Sequence, residues 1–349
     1  MTARLDSRAL NRAALARQHL LEPSAMSTDD MVSHLGGVQA QEPAEPFIGL
    51  WSRMTAFDPA SLSRLLEERA LVRVHLMRRT IHLVTADDAW NWQPRHRSLL
   101  RQKYVAVYRR ELADVDLDLL ATQGRALMSD GESRSLGEVG RALAPNWPGV
   151  TARMLGEAVV AALLPMVQIP PRGTWRSTAG ARYVPLSSWL DRPPPPESVD
   201  ADLIRRYLSA YGPAAGADLR AWCGLSGLPA SVAAIRDELV SFRDDRGRVL
   251  LDLPDAPRPD PDTPAPVRFL PAFDNAILGY HDRSRIIDDE HRGLSVAGQR
   301  AVLVDGRVAA TWTDTAGQVG ITALRPLTRA ESAAVSDEAD RLTAFLSAG

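Results

Sequence analysis

The feature that most restricts the fold of this chain is a change of hydrophobic period near residue 70. Before that point apolar residues recur at helical spacing, and one helix starts at Asp58-Pro59, a cap residue followed by a first-turn proline. From Val72 to Leu76 apolar and polar residues alternate as in a strand, and a second strand pattern runs from Thr80 to Val84 after the pair Arg78-Arg79. The sequence therefore predicts helices followed by a two-stranded hairpin with a basic tip, which is the order of elements in a winged helix.

The same order of helices and hairpin is predicted twice more. Two helical stretches precede the strand-like run Met166–Ile169, and three precede the hairpin around Arg246-Gly247. Weak self-similarity of this kind is typical of a tandem array. Proline-rich boundaries, Arg192 to Glu197 and Asp255 to Pro266, interrupt the pattern. We predict an α+β protein with three tandem winged-helix units (helix-turn-helix plus β-hairpin), residues 1–125, 126–192 and 197–256, and a β-rich C-terminal domain, residues 266–349.

The C-terminal domain is predicted from its strand-like runs and one turn. Asp305-Gly306, between two such runs, is a strong hairpin signal. The last stretch, Thr328 to Leu346, is amphipathic and predicts a solvated helix that closes the fold. The predicted strands are Val267–Leu270, Arg285–Ile287, Ala301–Val304, Arg307–Trp312 and Gln318–Leu324.

Composition narrows the class of protein. With 349 residues and 45% hydrophobic side chains, the chain is long enough to bury cores without disulfides. No run approaches the ~18 apolar residues of a spanning helix, and the N-terminus has no apolar core of a signal peptide, so we expect a cytoplasmic protein that does not bind a membrane. The single cysteine, Cys223, excludes an internal disulfide and a cysteine-based zinc cage.

The overall charge gives no reason to bind a polyanion, because 41 basic residues stand against 43 acidic ones, a net charge of −2. Nucleic-acid binding would need a local basic face. One candidate face combines Arg73, Arg78 and Arg79 of the first hairpin with the helix after it, whose basic residues are interleaved with aromatic ones. Such a surface would clamp phosphates, and the alternative is a solvated helix with aromatic packing beneath it. The basic residues of that helix are Arg95, His96, Arg97, Arg101, Lys103, Arg109 and Arg110.

Common catalytic signatures are missing from the sequence. It contains no glycine-rich phosphate loop, no nucleophile elbow and no HExxH motif. His75 and His82 could approach each other across the first hairpin, but two histidines without a third ligand make a weak metal site. We therefore expect neither a metal nor a cofactor.

Two uncharged amides follow a predicted helix end at Gly36-Gly37. In an extended segment residues i and i+2 project to one side, so Gln39 and Gln41 could present both carboxamides to the same space. Each amide offers an acceptor oxygen and two donor hydrogens without a charge. The alternative is a polar loop whose amides bond to nearby backbone.

A second unusual segment, Leu270 to Arg283, places charged residues in an apolar frame. Asp274, Asp282 and Arg283 are candidate accessory residues that contact DNA or a base. The alternative is a buried Asp–Arg brace between domains.

These features together resemble the AlkZ/YcaQ-type winged-helix family of DNA glycosylases. The resemblance covers nearly the whole chain and is carried by LGGVQAQEPAEPFIGLWSRM, LVRVHLMRRTIHLV, IPPRGTWRSTAGARYVPLSSWL, RYLSAYGPAAGADLRAWCGL, LPAFDNAILGYHDR and AVLVDGRVAATW. It implies three winged-helix units curved around a concave DNA-binding face. It also implies excision of N7-alkylated purines, including the unhooking of interstrand crosslinks, in DNA repair.

The resemblance further implies roles for particular residues. The AlkZ branch of the family places catalysis on a Gln-aliphatic-Gln motif, here Gln39-Ala40-Gln41, whereas a sister branch has Asp at the second Gln position. We therefore predict Gln39 and Gln41 as catalytic residues. The residues predicted to contact DNA lie on the first hairpin and the second wing, and they are Arg73, Arg78, Arg79, Thr80, His82, Arg172 and Arg176.

A charge-neutral motif suits a cationic lesion. Alkylation at N7 makes the purine cationic, so cleavage of the C1′–N9 bond releases a neutral base that needs little acid assistance. Preorganised dipoles can stabilise the developing oxocarbenium ion and place a water molecule. The expected partner is double-stranded DNA carrying alkylated purines, and we expect a monofunctional, monomeric glycosylase that is nucleoid-associated when bound to DNA. The alternative is a non-catalytic winged-helix DNA-binding protein or transcription regulator.

Overall fold

The computed structural model describes residues 3–193 and 201–348 and shows a mixed α+β architecture. Part of the proline-rich spacer and the predicted start of the third unit at residue 197 lie outside the described residues. The helices are α1 Ser7–Arg17, α2 Thr28–His34, α3 Glu45–Trp51, α4 Pro59–Glu67, α5 Ala86–Val107, α6 Leu117–Leu127, α7 Leu136–Leu143, α8 Ala152–Ala158, α9 Leu186–Leu190, α10 Ala201–Tyr211, α11 Gly216–Cys223, α12 Leu228–Ala234, α13 Asn275–Leu278, α14 Arg292–Val296 and α15 Arg329–Ser347. The strands are β1 Val38–Gln39, β2 Leu71–His75, β3 Ile81–Thr85, β4 Met166–Gln168, β5 Tyr183–Pro185, β6 Val240–Arg243, β7 Val249–Asp252, β8 Arg268–Leu270, β9 Arg300–Val304, β10 Arg307–Thr315 and β11 Gln318–Ala323.

Local sequence signals place the helices that flank the first hairpin. Asp58 caps α4 by accepting a hydrogen bond from Ala60 N, and Pro59 occupies the first turn. Thr85 caps α5 in the same way through Asp88 N, and the acidic residues of that first turn suit the positive end of the helix dipole. The hairpin therefore enters and leaves the sheet at fixed points.

The first hairpin is confirmed, but it does not stand alone. β2 and β3 pair antiparallel with Val74 opposite His82, and β2 also pairs with β4 of the second predicted unit. The resulting five-stranded sheet has the order β1-β3-β2-β4-β5. Because β2 is almost wholly buried, its second edge needs hydrogen-bond partners, and β4 supplies them. The first two hairpins thus form one sheet instead of two separate wings.

The third hairpin, β6–β7, is a separate two-stranded sheet preceded by α10, α11 and α12. The order of helices and hairpin therefore recurs along the chain, and the α+β prediction is confirmed. The boundaries at residues 125, 192, 256 and 266 stay predictions.

The C-terminal region contains a four-stranded antiparallel sheet of order β11-β10-β9-β8. The predicted turn joins β9 to β10, with φ of +47° at Asp305 and +78° at Gly306 as a tight hairpin requires. Helix α15 packs its buried Val335 and Leu342 into the core of this sheet. The predicted strand Arg285–Ile287 is wrong: these residues form a turn, and the two isoleucines are apolar because they are buried in the core, not because they pair in a sheet.

Buried ion pairs join the N-terminal helices to later parts of the chain. Arg17 of α1 binds Asp252 of β7 through two bonds of 2.6 and 2.8 Å, and both side chains are 0% exposed. Arg53 after α3 binds Asp274 before α13 at 2.7 Å. Within residues 3–193 and 201–348, no helix is both long and apolar enough to cross a membrane.

Candidate active site and DNA interface

The turn between α2 and β1 sets the position of the glutamine motif. Gly36 and Gly37 have φ of +63° and +88°, which glycine adopts without strain. A Cβ atom on Gly37 would lie 2.5 Å from Val84 Cγ1, so the turn packs directly on β3. β1 then pairs with β3, placing Gln39 opposite His82.

The two glutamines differ in exposure and in partner. Gln39 is 7% exposed, and its Oε1 accepts a hydrogen bond from Arg78 Nη2 at 2.8 Å. Gln41 is exposed, and its Oε1 accepts from the backbone N–H of Ile81 at 3.1 Å. A nearby backbone bond was the alternative interpretation of the motif, and it holds for the oxygen of Gln41.

Those partners fix which end of each amide faces the protein. A guanidinium and a backbone N–H can only donate, so each carboxamide must turn its oxygen toward them. Neither Nε2 of Gln39 nor Nε2 of Gln41 has a hydrogen-bond acceptor among the residues that the structure describes. The motif therefore offers two NH2 groups as donors, and each oxygen retains a second lone pair.

Arg78 is a cation without a carboxylate beside it. Its Nη2 donates to Gln39 Oε1 and, at 2.7 Å, to Asn275 Oδ1, both neutral groups. In the described part of the chain no Asp or Glu pairs with Arg78. Burial lowers the pKa of Arg78 to about 10, so the guanidinium remains charged at neutral pH. An uncompensated charge at a partly buried position favours an anionic ligand.

The hairpin tip holds Arg78 and Arg79 in a strained conformation. Their φ values are +54° and +62°, in the left-handed region that non-glycine residues rarely occupy. Nη1 of Arg79 is buried and has no hydrogen-bond partner among the described residues. At the tip one nitrogen of a second guanidinium is thus left without a partner from the described part of the protein.

A basic cavity of about 700 Å³ opens beside this tip, between α5 and α11. Its ionisable lining residues are all basic or histidine, and Arg78 connects the cavity to Gln39. Such a cavity suits the phosphates of a nucleic-acid backbone. It is lined by Arg78, Arg79, Leu99, Leu100, Lys103, Val107, Ala217, Arg220, Ala221, Gly224 and His281.

The histidines behind the site are held neutral. His82 is 0% exposed, with Nε2 at 3.4 Å from Arg78 Nη2, and burial followed by the charge of Arg78 keeps the pKa of His82 well below its usual value. Burial, with the charge of Arg79, lowers the pKa of His75 to about 4. Among the described residues no three His, Cys, Asp or Glu side chains are grouped as a metal ion would require.

Comparison with known proteins places this geometry in a family. Residues 32–345 match the family described as DNA glycosylase AlkZ-like. The chain belongs to the AlkZ-like family of DNA glycosylases. It is therefore a DNA-repair glycosylase whose substrate is DNA.

The fold of this AlkZ-like glycosylase also resembles a solved structure. That structure is Streptomyces sahachiroi DNA glycosylase AlkZ, with a TM-score of 0.76 and 22% sequence identity, covering 98% of this chain and 97% of the other. At this identity the comparison shows the fold alone. A search among curated proteins gave no match.

Two of the predicted DNA contacts of the AlkZ-like glycosylase lie in its interior. Arg73 is 1% exposed and donates to Gln168 Oε1 and to the carbonyl oxygen of Ala40, so it braces the glutamine motif from behind. His82 is 0% exposed. Alternation on a strand does not tell whether one face or both are covered, and here consecutive residues of β2 and β3 are buried, so both faces are covered. We therefore leave Arg73 and His82 out of the proposed DNA contacts.

The remaining predicted contacts are divided between two places. Arg78 and Arg79 line the basic cavity, and Thr80 ends the hairpin tip with its hydroxyl donating to the carbonyl of Met77. Arg172 donates to the carbonyl of Ala179 within its own loop. Arg176 is exposed, but its guanidinium donates to Leu346 O of α15 at 2.6 Å.

The accessory candidates prove to be mainly braces. Asp274 caps α13 and pairs with Arg53, and Asp282 pairs with Arg248 at 2.7 Å and with Arg246 at 3.0 Å on the third hairpin. These contacts match the alternative of an Asp–Arg brace between domains. Arg283 donates to Ser295 Oγ at 3.0 Å and lies near enough to Arg78 to lower its pKa, after the effect of burial.

Sequence reasoning missed residues that come from distant parts of the chain. Asn275 binds Arg78 across 197 positions, and Arg220 of α11 lines the cavity together with His281 of the Leu270 to Arg283 segment. The stretches that carry the resemblance contain Asn275 and Arg220, but their spacing carried no sign of a shared site.

Proposed function

We propose that this AlkZ-like glycosylase hydrolyses the N-glycosidic bond of N7-alkylated purines in double-stranded DNA, including purines that belong to an interstrand crosslink. The observation that carries the proposal is the pair of carboxamides at Gln39 and Gln41, each held by a hydrogen bond to its oxygen, with Gln39 bound to Arg78 of the basic cavity. No carboxylate is bound to either amide among the described residues. The site therefore suits a damaged base that can leave without first being protonated.

The reaction balances with water as the only co-reactant. The C1′–N9 bond breaks and its electron pair goes to the cationic purine, which leaves neutral. Water forms the new bond to C1′ and releases one proton to solvent. The exposed Gln41 can accept from the water through the free lone pair of its oxygen, while the Nε2 donors hold a sugar or phosphate oxygen.

Unmodified purines would not be released by such a site. A normal guanine leaves as an anion unless an acid protonates it, and two neutral amides supply no proton. The proposed selectivity for cationic bases thus follows from the absence of charge on the motif, and it does not require the pocket to recognise the alkyl group.

The basic cavity accounts for duplex binding in this proposal. Phosphates that flank the lesion would bind Arg78, Arg79, Lys103 and Arg220, which brings the sugar of the alkylated nucleotide to the glutamines. A crosslinked base is tied to the opposite strand, so we propose that the amides approach its sugar from a groove without full extrusion of the base. We also propose that the enzyme acts as a monomer bound to chromosomal DNA.

The decisive experiment offers the purified protein a duplex with a single N7-methylguanine. Alkali after the incubation should cleave the strand at that position, and an identical duplex with guanine should stay intact. A duplex joined by an N7-linked crosslink should be converted to single strands on denaturation. Tight binding to the alkylated duplex without base release would support the non-catalytic DNA-binding alternative instead.

We also propose that the enzyme is monofunctional, leaving an intact abasic site. A lyase step needs an amine that forms an imine with C1′ of the abasic sugar. Lys103 is the only lysine in the sequence, and in the proposal above its amine binds a backbone phosphate and not the sugar. Borohydride present during the reaction should trap no protein on the DNA. A trapped complex that disappears in Lys103→Arg would contradict the proposal and identify the amine.

A further inference from the structure

One polar side chain links the backbone before the glutamine motif to Arg78 and has no role in the function proposed above. Asn275 begins α13 and is 7% exposed. Its Oδ1 accepts from Arg78 Nη2 at 2.7 Å, and its Nδ2 donates to the carbonyl oxygen of Gly37 at 3.2 Å. It therefore contacts the backbone two residues before Gln39 and also the cation that binds the Gln39 oxygen.

Each bond of Asn275 is directional. Arg78 can only donate, and the Gly37 carbonyl can only accept, so the amide of Asn275 fits in one orientation. The Nη2 group of Arg78 divides its two hydrogens between Asn275 Oδ1 and Gln39 Oε1. The position of the Asn275 amide thereby affects the position of the Gln39 amide, because both bind the same nitrogen of Arg78.

Asn275 itself is rigidly anchored. The preceding residue, Asp274, is 7% exposed, caps α13 through Ala276 N, and pairs with Arg53 at 2.7 Å. Arg53 also bonds to Gln18 and to the carbonyl of Gly49. Because Asn275 is anchored in this way, its side chain can keep Arg78 in place although solvent competes for the guanidinium and the hairpin tip is strained.

We propose that Asn275 is a positioning residue for base excision, which acts through Arg78 to hold the carboxamide of Gln39 with its NH2 group toward the DNA. This inference rests on the proposed function. Without Asn275 the second Nη2 hydrogen of Arg78 keeps, among the residues described, only the longer contact of 3.4 Å to His82 Nε2, and the guanidinium turns toward solvent or a DNA phosphate. Gln39 then loses the hydrogen bond that fixes its oxygen, and its amide rotates freely, so its NH2 group is no longer held toward the DNA.

The test compares single-turnover base release from N7-methylguanine DNA in Asn275→Ala, Asn275→Asp and wild type. Asn275→Ala should lower the rate about 10- to 100-fold, as small misplacements of a catalytic group do. The affinity for the duplex should stay within about threefold, because the basic residues of the cavity remain. Asn275→Asp keeps the acceptor for Arg78 and should recover part of the lost rate.

A control variant separates positioning from general structural damage. Asn11 is another buried asparagine, 2% exposed, which donates to the carbonyls of Arg285 and Gly306 away from the motif. Asn11→Ala should lower thermal stability without changing the rate of base release. An equal loss of rate in Asn11→Ala and Asn275→Ala would overturn the proposal.

A double-mutant cycle tests the route of the effect. In a Gln39→Ala background, Asn275→Ala should cause almost no further loss of rate, because Asn275 acts only through Gln39. Additive losses in the double variant, or an unchanged rate in Asn275→Ala alone, would overturn the inference while leaving the glycosylase proposal intact.

A second readout does not depend on activity. If wild type releases no base at all, the proposed function fails, and the side-chain NH2 resonances of Gln39 in NMR spectra still test the inference. Those resonances should shift and exchange faster with water in Asn275→Ala, and not in Asn11→Ala. Unchanged Gln39 resonances would refute the positioning role.

Discussion

At the scale of single residues, the candidate site combines neutral amides with a charge that the protein leaves unbalanced. Gln39 and Asn275 share one nitrogen of Arg78, and both are neutral. The guanidinium thus fixes two amides and keeps its positive charge for an anionic ligand. In the proposed function, this arrangement lets a motif without ionisable groups bind a polyanion.

The ionisation of the residues around the motif predicts a flat pH dependence. Burial keeps the pKa of His82 well below its usual value, so His82 stays neutral at and above neutral pH. Burial lowers the pKa of Arg78 only to about 10, so Arg78 stays charged until the pH approaches that value. The single-turnover rate should therefore change little across neutral pH and fall only as Arg78 loses its proton.

Rates of base release measured with saturating enzyme over a pH series check this expectation. The result that would contradict it is a steep acid limb, a marked change in the rate at acidic pH with its midpoint near the pKa of a carboxyl group. If that limb vanished in Glu42→Gln, the exposed Glu42 beside the motif would be the general acid or base.

At the scale of elements, the first hairpin shows what the sequence can and cannot predict. Alternation in β2 and β3 and the left-handed turn at Asp305-Gly306 are local properties, and both hairpins were predicted from them. The pairing of β2 with β4 joins residues 95 positions apart, as in the bond of Arg73 to Gln168, and no local pattern signals it. Burial of Arg73 and His82 follows from that pairing and from the packing of distant helices.

The close packing around Gly37 predicts that a side chain at this position lowers the stability of the fold. Gly37 and Gly149 have similar φ, +88° and +92°, but a Cβ atom would meet Val84 at 2.5 Å in the first case and nothing within 4 Å in the second. In both alanine variants the left-handed backbone should lower the free energy of unfolding by about 1 kcal/mol. Gly37→Ala should cost a further ~1–3 kcal/mol from overpacking.

Denaturant unfolding of the two variants measures that difference directly. Gly37→Ala should also slow base release, since it displaces β1 and with it Gln39, whereas Gly149→Ala should not. Equal free energies of unfolding in the two variants would show that the turn has room to relax.

The cavity between α5 and α11 makes a separate prediction about binding. Arg79→Ala and Arg220→Ala should each weaken the affinity for undamaged duplex and reduce the slope of log affinity against log salt by about 0.9, the value for one phosphate contact. Arg329→Ala, at the exposed start of α15, serves as the matched control and should change neither quantity. Fluorescence anisotropy at several salt concentrations gives both numbers, and an unchanged slope in the cavity variants would place the DNA elsewhere.

At the scale of the whole molecule, the site depends on nearly the full length of the chain. Gln39 and Arg78 lie in the first predicted unit, Arg220 in the third, and Asn275 in the C-terminal region. The basic tip was predicted from a local hairpin pattern, and the glutamine motif from a family resemblance carried by a short local stretch. It could not predict that Asn275 meets Arg78, since that contact exists only when the C-terminal region packs against the first unit.

A buried ion pair should therefore matter for the stability of the entire fold. Asp252→Ala would leave Arg17 of α1 fully buried without its carboxylate, and it should lower the free energy of unfolding by about 3–5 kcal/mol. Asp118→Ala breaks the exposed pair with Arg101 and should have little effect. Urea unfolding tests both variants, and a small effect of Asp252→Ala would mean that α1 is held mainly by other contacts.

The central claim is that two uncharged carboxamides perform base release, and it is tested by measuring rate and affinity together for alanine variants of both. On a duplex with one N7-methylguanine, Gln39→Ala and Gln41→Ala should lose base release by about 10²–10³-fold, the usual effect of removing one preorganised dipole. Their affinity for the same duplex should remain close to that of wild type and of the exposed control Gln299→Ala. Undiminished base release in both variants, or a loss of binding that accounts for the whole loss of rate, would contradict the account.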